Sequence, residues 1–194
     1  MKMILVRHGE TGWNRQRRIQ GWLDSPLTPE AVAQLKRLFS DNPSLAHIRP
    51  TVIYSSDSGR AHHSAQILAE SCGADVITDA RLRERRFGIL EGKVIDQDNS
   101  LAACWRAYHH RYDEKMTAVS GVEPEQDFEQ RIRSFLAELA SRHSPAQERD
   151  IVIVSHGEWI RACLNVIHGV ASWKQGNGVA GNAVPVDFDF SVSG

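Results

Sequence analysis

The sequence predicts a three-layer α/β protein in which a mostly parallel sheet carries helices on both faces. Three short apolar runs have the length and β-branched content of buried strands, namely residues 3–6, 51–54 and 151–154. Stretches with helical periodicity separate these runs. Alternating strands and helices are typical of a parallel sheet whose two faces are both covered.

The predicted helices follow the strands along the chain. The first begins at Thr28-Pro29-Glu30, where threonine can cap the helix, proline fits the first turn and glutamate suits the positive end of the helix dipole. Further helices are predicted at residues 59–71, 99–112 and 158–168, and around residues 128–139. The polar or glycine-rich stretches 81–92 and 113–124 are predicted to be loops.

Two weaker strands complete the predicted sheet. One lies near residues 75–78 and the other spans residues 184–190. Because Pro185 cannot donate a hydrogen bond to a neighbouring strand, we expect the last strand at an edge of the sheet.

Length and composition indicate an ordinary globular protein, with a single domain expected over residues 1–194. The formal net charge of −1 gives no reason to expect a nucleic acid or a membrane surface as partner. Cys72, Cys104 and Cys163 are scattered and odd in number, which favours reduced thiols over a disulfide framework. The sequence shows no signal peptide and no stretch long enough to span a membrane, so the expected location is the cytoplasm.

A histidine followed by glycine stands at the carboxyl end of two predicted strands. His8-Gly9 follows the first apolar run, and His156-Gly157 follows the run at residues 151–154. Ligands of open α/β sheets bind outside the carboxyl ends of the strands. If the two strands are parallel neighbours, both histidines face one crevice.

Two arginines are predicted to make this crevice attractive to anions. Arg7 directly precedes the first histidine, and Arg60 lies in the first turn of the predicted helix 59–71. The first turn of a helix has unpaired backbone N–H groups, so an anion is already favoured there.

Four segments, in this order along the chain, resemble the histidine phosphatase (phosphoglycerate mutase-like) superfamily. They are Arg7-His8-Gly9-Glu10-Thr11 with its continuation to Thr28, Ser55-Ser56-Asp57-Ser58-Gly59-Arg60-Ala61, Leu82-Arg83-Glu84-Arg85-Arg86-Phe87-Gly88, and Ser155-His156-Gly157. The resemblance runs from Met1 to about His168 and is strongest to short bacterial mutase-like phosphatases. It implies hydrolysis of phosphate monoesters of small metabolites, with no metal or organic cofactor.

The resemblance also implies a role for each motif residue. His8 would attack phosphorus as a neutral imidazole and carry the phosphoryl group, while Glu84 would be the general acid and base. Arg7, Arg60 and His156 would complete the catalytic set. The implied substrate contacts are Arg7, Asn14, Gln20, Gly21, Arg60, His156 and Gly157.

Two placements stay open at this point. Arg15, Arg17 and Arg18 form a basic cluster that is either a solvated loop or lies near a phosphorylated substrate. Glu84 is either the catalytic acid or a surface partner of a neighbouring arginine. The candidate partners are Arg83, Arg85 and Arg86.

Other chemistries fit the sequence less well. A cysteine phosphatase needs arginine six residues after its nucleophile, and none of the three cysteines has one there. The adjacent pairs His62-His63 and His109-His110 are interpreted as surface or satisfied histidines, because neighbouring helical residues point about 100° apart. No set of cysteines and histidines has zinc-ligand spacing.

Two alternative functions remain. One is a cofactor-dependent phosphoglycerate mutase, and the other is a non-catalytic module that binds phosphorylated ligands. Binding alone needs no acid such as Glu84, which argues against the second. The sequence stops at Gly194, so little cover over the site is expected, which favours a phosphatase over a mutase. The expected partner is a small phosphorylated substrate, and a homodimer stays open.

Overall fold

The protein is built on one five-stranded sheet, seen here in a computed structural model that describes residues 2–143 and 150–189. The strands are β1 (Lys2–Arg7), β2 (Val52–Ser55), β3 (Asp75–Thr78), β4 (Ile151–Ser155) and β5 (Pro185–Asp189). Their order across the sheet is β3-β2-β4-β1-β5. The first four run parallel, and β5 pairs antiparallel with β1. The prediction of a mostly parallel sheet is therefore confirmed.

Strands β1 and β4 are parallel neighbours, as the shared crevice requires. Arg7 pairs with Ser155 at the carboxyl end of the ladder. The backbone N–H of His8 donates to the Ser155 carbonyl across 2.9 Å. His8 and His156 therefore follow directly from equivalent positions at one edge of the sheet.

The edge strand is also confirmed. Strand β5 begins at Pro185 and has a hydrogen-bonded neighbour on one side only within the described chain. Phe190, which the predicted strand included, lies outside the described residues.

Seven α-helices occur in the described ranges. They are α1 (Gly12–Arg15), α2 (Pro29–Lys36), α3 (Leu38–Asp41), α4 (Gly59–Cys72), α5 (Ala102–His109), α6 (Glu125–Arg142) and α7 (Gly157–Ile167). The predicted cap at Thr28 is confirmed, because its hydroxyl accepts from the backbone N–H of Ala31 at 3.2 Å. The short helix α1 was not predicted.

The predicted helix 99–112 is shorter in the structure. Asn99–Leu101 form a 3₁₀ turn, and α5 ends at His109. The Arg111 guanidinium donates to the Tyr108 carbonyl at 2.7 Å, which satisfies a carbonyl at the end of the helix from outside it. The predicted loop 81–92 contains 3₁₀ turns at its start and middle, Ala80–Leu82 and Gly88–Leu90.

Alternate residues of the central strands face opposite layers. Ile4 and Val6 of β1 pack on the side of α2 and α4, whereas Met3 and Leu5 pack on the side of α6 and α7. Each such side chain contributes roughly 1.5–3 kcal/mol when fully buried. This arrangement gives the three layers that the sequence predicts.

A smaller apolar cluster lies outside the two main layers. Phe87, Leu90, Trp105 and Met116 are its largest buried members, and Ile19 joins it from the first loop. The cluster ties the segment between β3 and α6 to the loop that follows β1. The three cysteines are free thiols, as predicted. None of the helices in the described ranges is both long and apolar enough to cross a membrane.

Candidate active site

His8 is held as a neutral imidazole whose two ring nitrogens differ. Its Nδ1 lies 2.8 Å from the Gly9 carbonyl, which can only accept, so Nδ1 carries the proton and Nε2 the lone pair. Burial, the Arg60 guanidinium and the Arg7 guanidinium together hold the pKa of His8 well below its ordinary value of 6.5. The geometry thus provides the tautomer and charge that a nucleophilic imidazole requires.

Arg60 is buried and fixed from several sides. Its Nε donates to His8 Nε2 at 3.3 Å and its Nη2 to the Gly21 carbonyl at 2.8 Å. Its Nη1 donates to the Leu23 carbonyl at 2.7 Å and to Asp24 Oδ1 at 2.9 Å. The predicted position in the first turn of α4 is confirmed, and the guanidinium is oriented before any ligand binds.

Arg7 keeps a donor for a ligand. Its Nη1 donates to the Ala180 carbonyl at 2.8 Å, while its buried Nε has no hydrogen-bond partner among the described residues. A buried N–H without a partner costs free energy, so an anion that accepts from it is favoured. A Cβ on Gly157 would stand 3.3 Å from Arg7 Cζ and 2.5 Å from Val179 Cγ1, so only glycine fits there without displacement.

Gly9 needs to be glycine for a different reason from Gly157. A Cβ on Gly9 would meet Ala31 Cβ and Leu35 Cδ1 at 3.0 Å, so the missing side chain makes room for α2. The glycine after His8 therefore serves packing.

His156 lies against His8 inside the protein. The two ring centroids are 5.2 Å apart, and His156 Nε2 is 2.9 Å from Ser56 Oγ. Its Nδ1 is buried and has no partner within the described ranges. Burial and the cations around it, Arg60 first among them, hold the pKa of His156 well below 6.5. His156 is not among the residues that line the cavity described below, so its contact with phosphate stays a prediction.

Glu84 sits at the amino end of α7. Its Oε1 accepts from the backbone N–H groups of Arg85 at 3.0 Å and Trp159 at 3.2 Å, and its Oε2 accepts from that of Glu158 at 3.3 Å. Burial and then the nearby carboxylate of Glu158 raise the pKa of Glu84 above its ordinary value. A carboxyl with a raised pKa can keep a proton to donate.

The alternative placement of Glu84 as a surface ion-pair partner is wrong. Arg83 pairs with Asp57, Arg85 pairs with Glu125, and the Arg86 guanidinium lies over the Trp22 ring. Arg85 is only 2% exposed, so it is not a surface residue at all.

Glu158 is the main residue of the site that the sequence did not reveal. Its buried carboxylate accepts from the Tyr112 hydroxyl at 2.6 Å and from Nε of Arg111 and Arg161, both at 3.0 Å. Burial alone would raise the pKa of Glu158, but the two guanidiniums hold it below its ordinary value. Glu158 is therefore a fixed negative charge beside Glu84.

Apart from His156, these residues line a cavity of about 320 Å³ at the carboxyl edge of the sheet. The lining residues that the sequence predicted are Arg7, His8, Asn14, Gln20, Gly21, Arg60, Glu84 and Gly157. Those that it missed include Ile19, Phe87, Ile95, Tyr108, Arg111, Glu158 and Val179. Most of the missed residues come from segments that no motif connects to the strand ends.

The predicted substrate contacts differ in what they offer. Gln20 Oε1 is buried on the cavity wall and has no partner in the part of the chain that the structure describes. Asn14 Oδ1 instead accepts from the Thr11 backbone and hydroxyl, both at 3.0 Å, which closes a capping box on α1. Gly21 has φ +52° and orients Arg60 through its carbonyl.

The basic cluster of the first loop is divided by the structure. Arg17 and Arg18 line the cavity, whereas Arg15 is exposed and pairs with Glu10 and Glu30. Arg15 is therefore a solvated, ion-paired residue, whereas a position of Arg17 or Arg18 near a phosphorylated substrate stays a prediction.

The histidine pairs lie outside the site. His109 is exposed and lies 2.8 Å from Asp96, and His110 lies 3.5 Å from Asp113. Within residues 2–143 and 150–189, no three histidine, cysteine or acidic side chains are arranged to hold a metal ion.

Known proteins are similar to this chain over most of its length. Residues 3–183 match the family described as the histidine phosphatase superfamily (branch 1). A curated relative from Salmonella paratyphi C, named probable phosphoglycerate mutase GpmB, is 36% identical over 177 residues, which are 90% of this chain and 78% of the relative.

Solved structures are similar over almost the whole chain. The native structure of a mycobacterial glucosyl-3-phosphoglycerate phosphatase has a TM-score of 0.82 at 30% identity and covers 96% of this chain and 88% of its own. YhfR of Bacillus stearothermophilus has a TM-score of 0.82 at 27% identity, and the match covers 98% of this chain and 92% of YhfR. Because the family match spans residues 3–183, the chain belongs to branch 1 of the histidine phosphatase superfamily.

Proposed function

We propose that the protein hydrolyses phosphate monoesters of small metabolites through a phosphohistidine on Nε2 of His8. The observation that carries this proposal is the state of His8, whose Nδ1 proton is held by the Gly9 carbonyl while Nε2 faces Arg60 across 3.3 Å. The phosphatase among the similar structures, 30% identical, supports the same reaction class.

In the first step the Nε–H of Arg60 turns from Nε2 of His8 to a phosphoryl oxygen, the freed Nε2 lone pair attacks phosphorus, and the bond to the ester oxygen breaks. The leaving oxygen takes the proton of Glu84, whose raised pKa favours the protonated form. Arg60 and the free Nε of Arg7 donate to the phosphoryl oxygens, where negative charge is concentrated in the transition state. The product alcohol leaves, and His8 carries the phosphoryl group.

In the second step water attacks the phosphohistidine. The Glu84 carboxylate takes a proton from that water, the N–P bond breaks, and Nε2 recovers its lone pair. Inorganic phosphate leaves, and Glu84 is protonated again. Every proton and electron pair in the cycle comes from His8, Glu84, the ester or water, so the proposed steps require no metal and no organic cofactor.

Trapping the phosphoenzyme tests this proposal. Brief exposure to a phosphate ester labelled in its phosphoryl group, followed by denaturation, should leave acid-labile, base-stable label on the protein. The label should be absent in His8→Ala and present in His109→Ala, because His109 is exposed and paired with Asp96 away from the cavity. Label that persists in His8→Ala would overturn the assignment.

A phosphoglycerate mutase is the second candidate, favoured by the 36% identity to a relative named as a probable mutase. A mutase would form the same phosphohistidine and differ only in its acceptor. A module that merely binds phosphorylated ligands is disfavoured, because binding gives no reason to place a carboxyl of raised pKa beside the nucleophile.

A further inference from the structure

The cavity wall carries positive charge that phosphate binding does not use. Arg17 lines the cavity with an exposed side chain, and no hydrogen bond or ion pair of that side chain occurs among the described residues. The acidic residues on the same wall are Glu84 and Glu158. Glu84 accepts from backbone N–H groups at the start of α7, and Glu158 is paired with Arg111 and Arg161. In the part of the chain that the structure describes, Arg17 therefore has no counter-charge.

The backbone of Arg17 is in an unusual conformation that its neighbours hold in place. Its φ of +53° lies in the left-handed region, which costs a residue with a side chain on the order of 1–3 kcal/mol. Its N–H donates to the Asn14 carbonyl at 3.0 Å, and its carbonyl accepts from the Ile95 N–H at 3.0 Å. These contacts fix the direction in which the side chain leaves the backbone.

Arg18 adds a second charge, and its partners among the described residues are neutral. Its Nε donates to Gln16 Oε1 at 3.1 Å and its Nη1 to the Gly92 carbonyl, and its guanidinium stacks on Trp13 at 5.4 Å. Arg111, in contrast, is paired with Glu158. Arg17 and Arg18 thus form an uncompensated positive rim, while Ile19 lines the cavity beside them.

We propose that Arg17 binds a second negatively charged group on the alcohol part of the substrate. The substrate class is then a phosphate monoester of a small alcohol that also carries an anion, such as a carboxylate. The phosphate would lie against His8, and the second anion would accept from the guanidinium of Arg17. This inference rests on the proposed function, because it takes the alcohol part of a phosphate ester to lie at the rim.

The test compares two esters that share the same phosphate and differ at one carbon. The probes are 3-phosphoglycerate, which carries a carboxylate, and glycerol 3-phosphate, which carries a hydroxymethyl group there. Binding is measured by titration calorimetry on His8→Asn protein, in which neither probe can be consumed through His8. The charged probe should bind about tenfold more tightly, as expected for a charge-assisted hydrogen bond.

Arg17→Gln in the same background should remove this preference and leave glycerol 3-phosphate binding within about twofold. Arg15→Gln is the matched control, because Arg15 is two residues away and pairs with Glu10 and Glu30 outside the cavity. Equal affinity for both probes before substitution, equal losses in Arg17→Gln, or no measurable binding of 3-phosphoglycerate would overturn the inference.

Turnover measured with His8 intact separates this inference from the proposed function. If Arg17 sets the charge preference in binding but neither ester is hydrolysed, the second-anion site stands and the phosphatase proposal fails. If both esters are hydrolysed without any charge preference, the phosphatase proposal stands and the role of Arg17 is wrong.

Discussion

The Nε–H of Arg60 points at Nε2 of His8 across 3.3 Å. In the proposed mechanism this contact gives Arg60 two functions, because the cation that would bind phosphate also disfavours a proton on His8. Burial adds to the effect, and Arg7 contributes from the other side, so the pKa of His8 lies well below 6.5.

The first prediction is that the rate of enzyme phosphorylation does not decrease as the pH falls through 6.5, the ordinary pKa of histidine. A lowered pKa means that His8 stays neutral below pH 6.5, and only the neutral form attacks. An aryl phosphate with an acidic phenol is the right substrate, since its leaving group needs little help from Glu84. Single-turnover rates at ester concentrations well below saturation report on the free enzyme. Corrected for the ester's own second ionisation, they should stay level, and a rate that halves near pH 6.5 would contradict the lowered pKa.

The second prediction concerns the two arginines. Arg7→Ala and Arg60→Ala should each lower turnover by on the order of a hundredfold or more, because a preorganised donor to the transferring phosphoryl group is lost. Arg60→Ala should also lower the melting temperature more than Arg7→Ala does, since Arg60 anchors the carbonyls of Gly21 and Leu23. Arg37→Ala is the control, because Arg37 is exposed and pairs with exposed Asp41. Near-normal turnover in either variant would remove that arginine from the site.

The position of each histidine at a strand end could be predicted from local pattern, whereas their meeting also required that the two strands be neighbours. An apolar run followed by His-Gly fixes where each strand ends, and parallel pairing of β1 with β4 brings the ends together. Arg60 was predictable for a similar reason, since helix α4 begins directly before it.

Contacts between distant segments could not be predicted in this way. Glu84 meets the backbone of Glu158 across 74 residues of sequence, and that contact depends on how the loop after β3 lies on α7. Arg85 gave no sign of burial, because its partner Glu125 begins a helix 40 residues later. Arg17 gave no sign of a positive φ, because that conformation is usually marked by glycine.

The third prediction assigns the proton donor. An alkyl phosphate expels a poor leaving group, so Glu84→Gln should slow its single-turnover phosphorylation by roughly 10²–10⁴. An aryl phosphate with an acidic phenol should be slowed much less. Equal losses for the two esters would indicate that Glu84 serves binding or folding and donates no proton.

The fourth prediction concerns Glu158. Phosphorylation by an alkyl phosphate should fall as the pH rises through the raised pKa of Glu84, because the carboxylate form has no proton to give. Glu158→Gln removes the negative charge that helps to raise this pKa and leaves Arg111 and Arg161 without their counter-charge. Both changes favour the Glu84 carboxylate, so the alkaline limb of the pH profile should move to lower pH.

The groups that face Glu84 from other elements are Arg7 and Arg60, and both already lower its pKa. The control is Glu129→Gln, which removes one negative charge on α6 where Glu129 pairs with exposed Arg133. If the alkaline limb of the pH profile stays in place in Glu158→Gln, or moves equally in Glu129→Gln, Glu158 does not raise the pKa of Glu84.

The last prediction separates a phosphatase from a mutase. A mutase must keep water from its phosphohistidine until a second hydroxyl arrives, which requires a closed cover. Here the cavity wall reaches solvent, since Arg17 is exposed and Val179 is 40% exposed. We therefore expect rapid hydrolysis of the phosphoenzyme and only minor isomerisation, even with a bisphosphorylated primer present. One reaction on 3-phosphoglycerate, in which 2-phosphoglycerate and inorganic phosphate are both followed, decides between them. His8→Ala should abolish both products, and isomerisation that far outruns phosphate release in the parent protein would replace the phosphatase with the mutase.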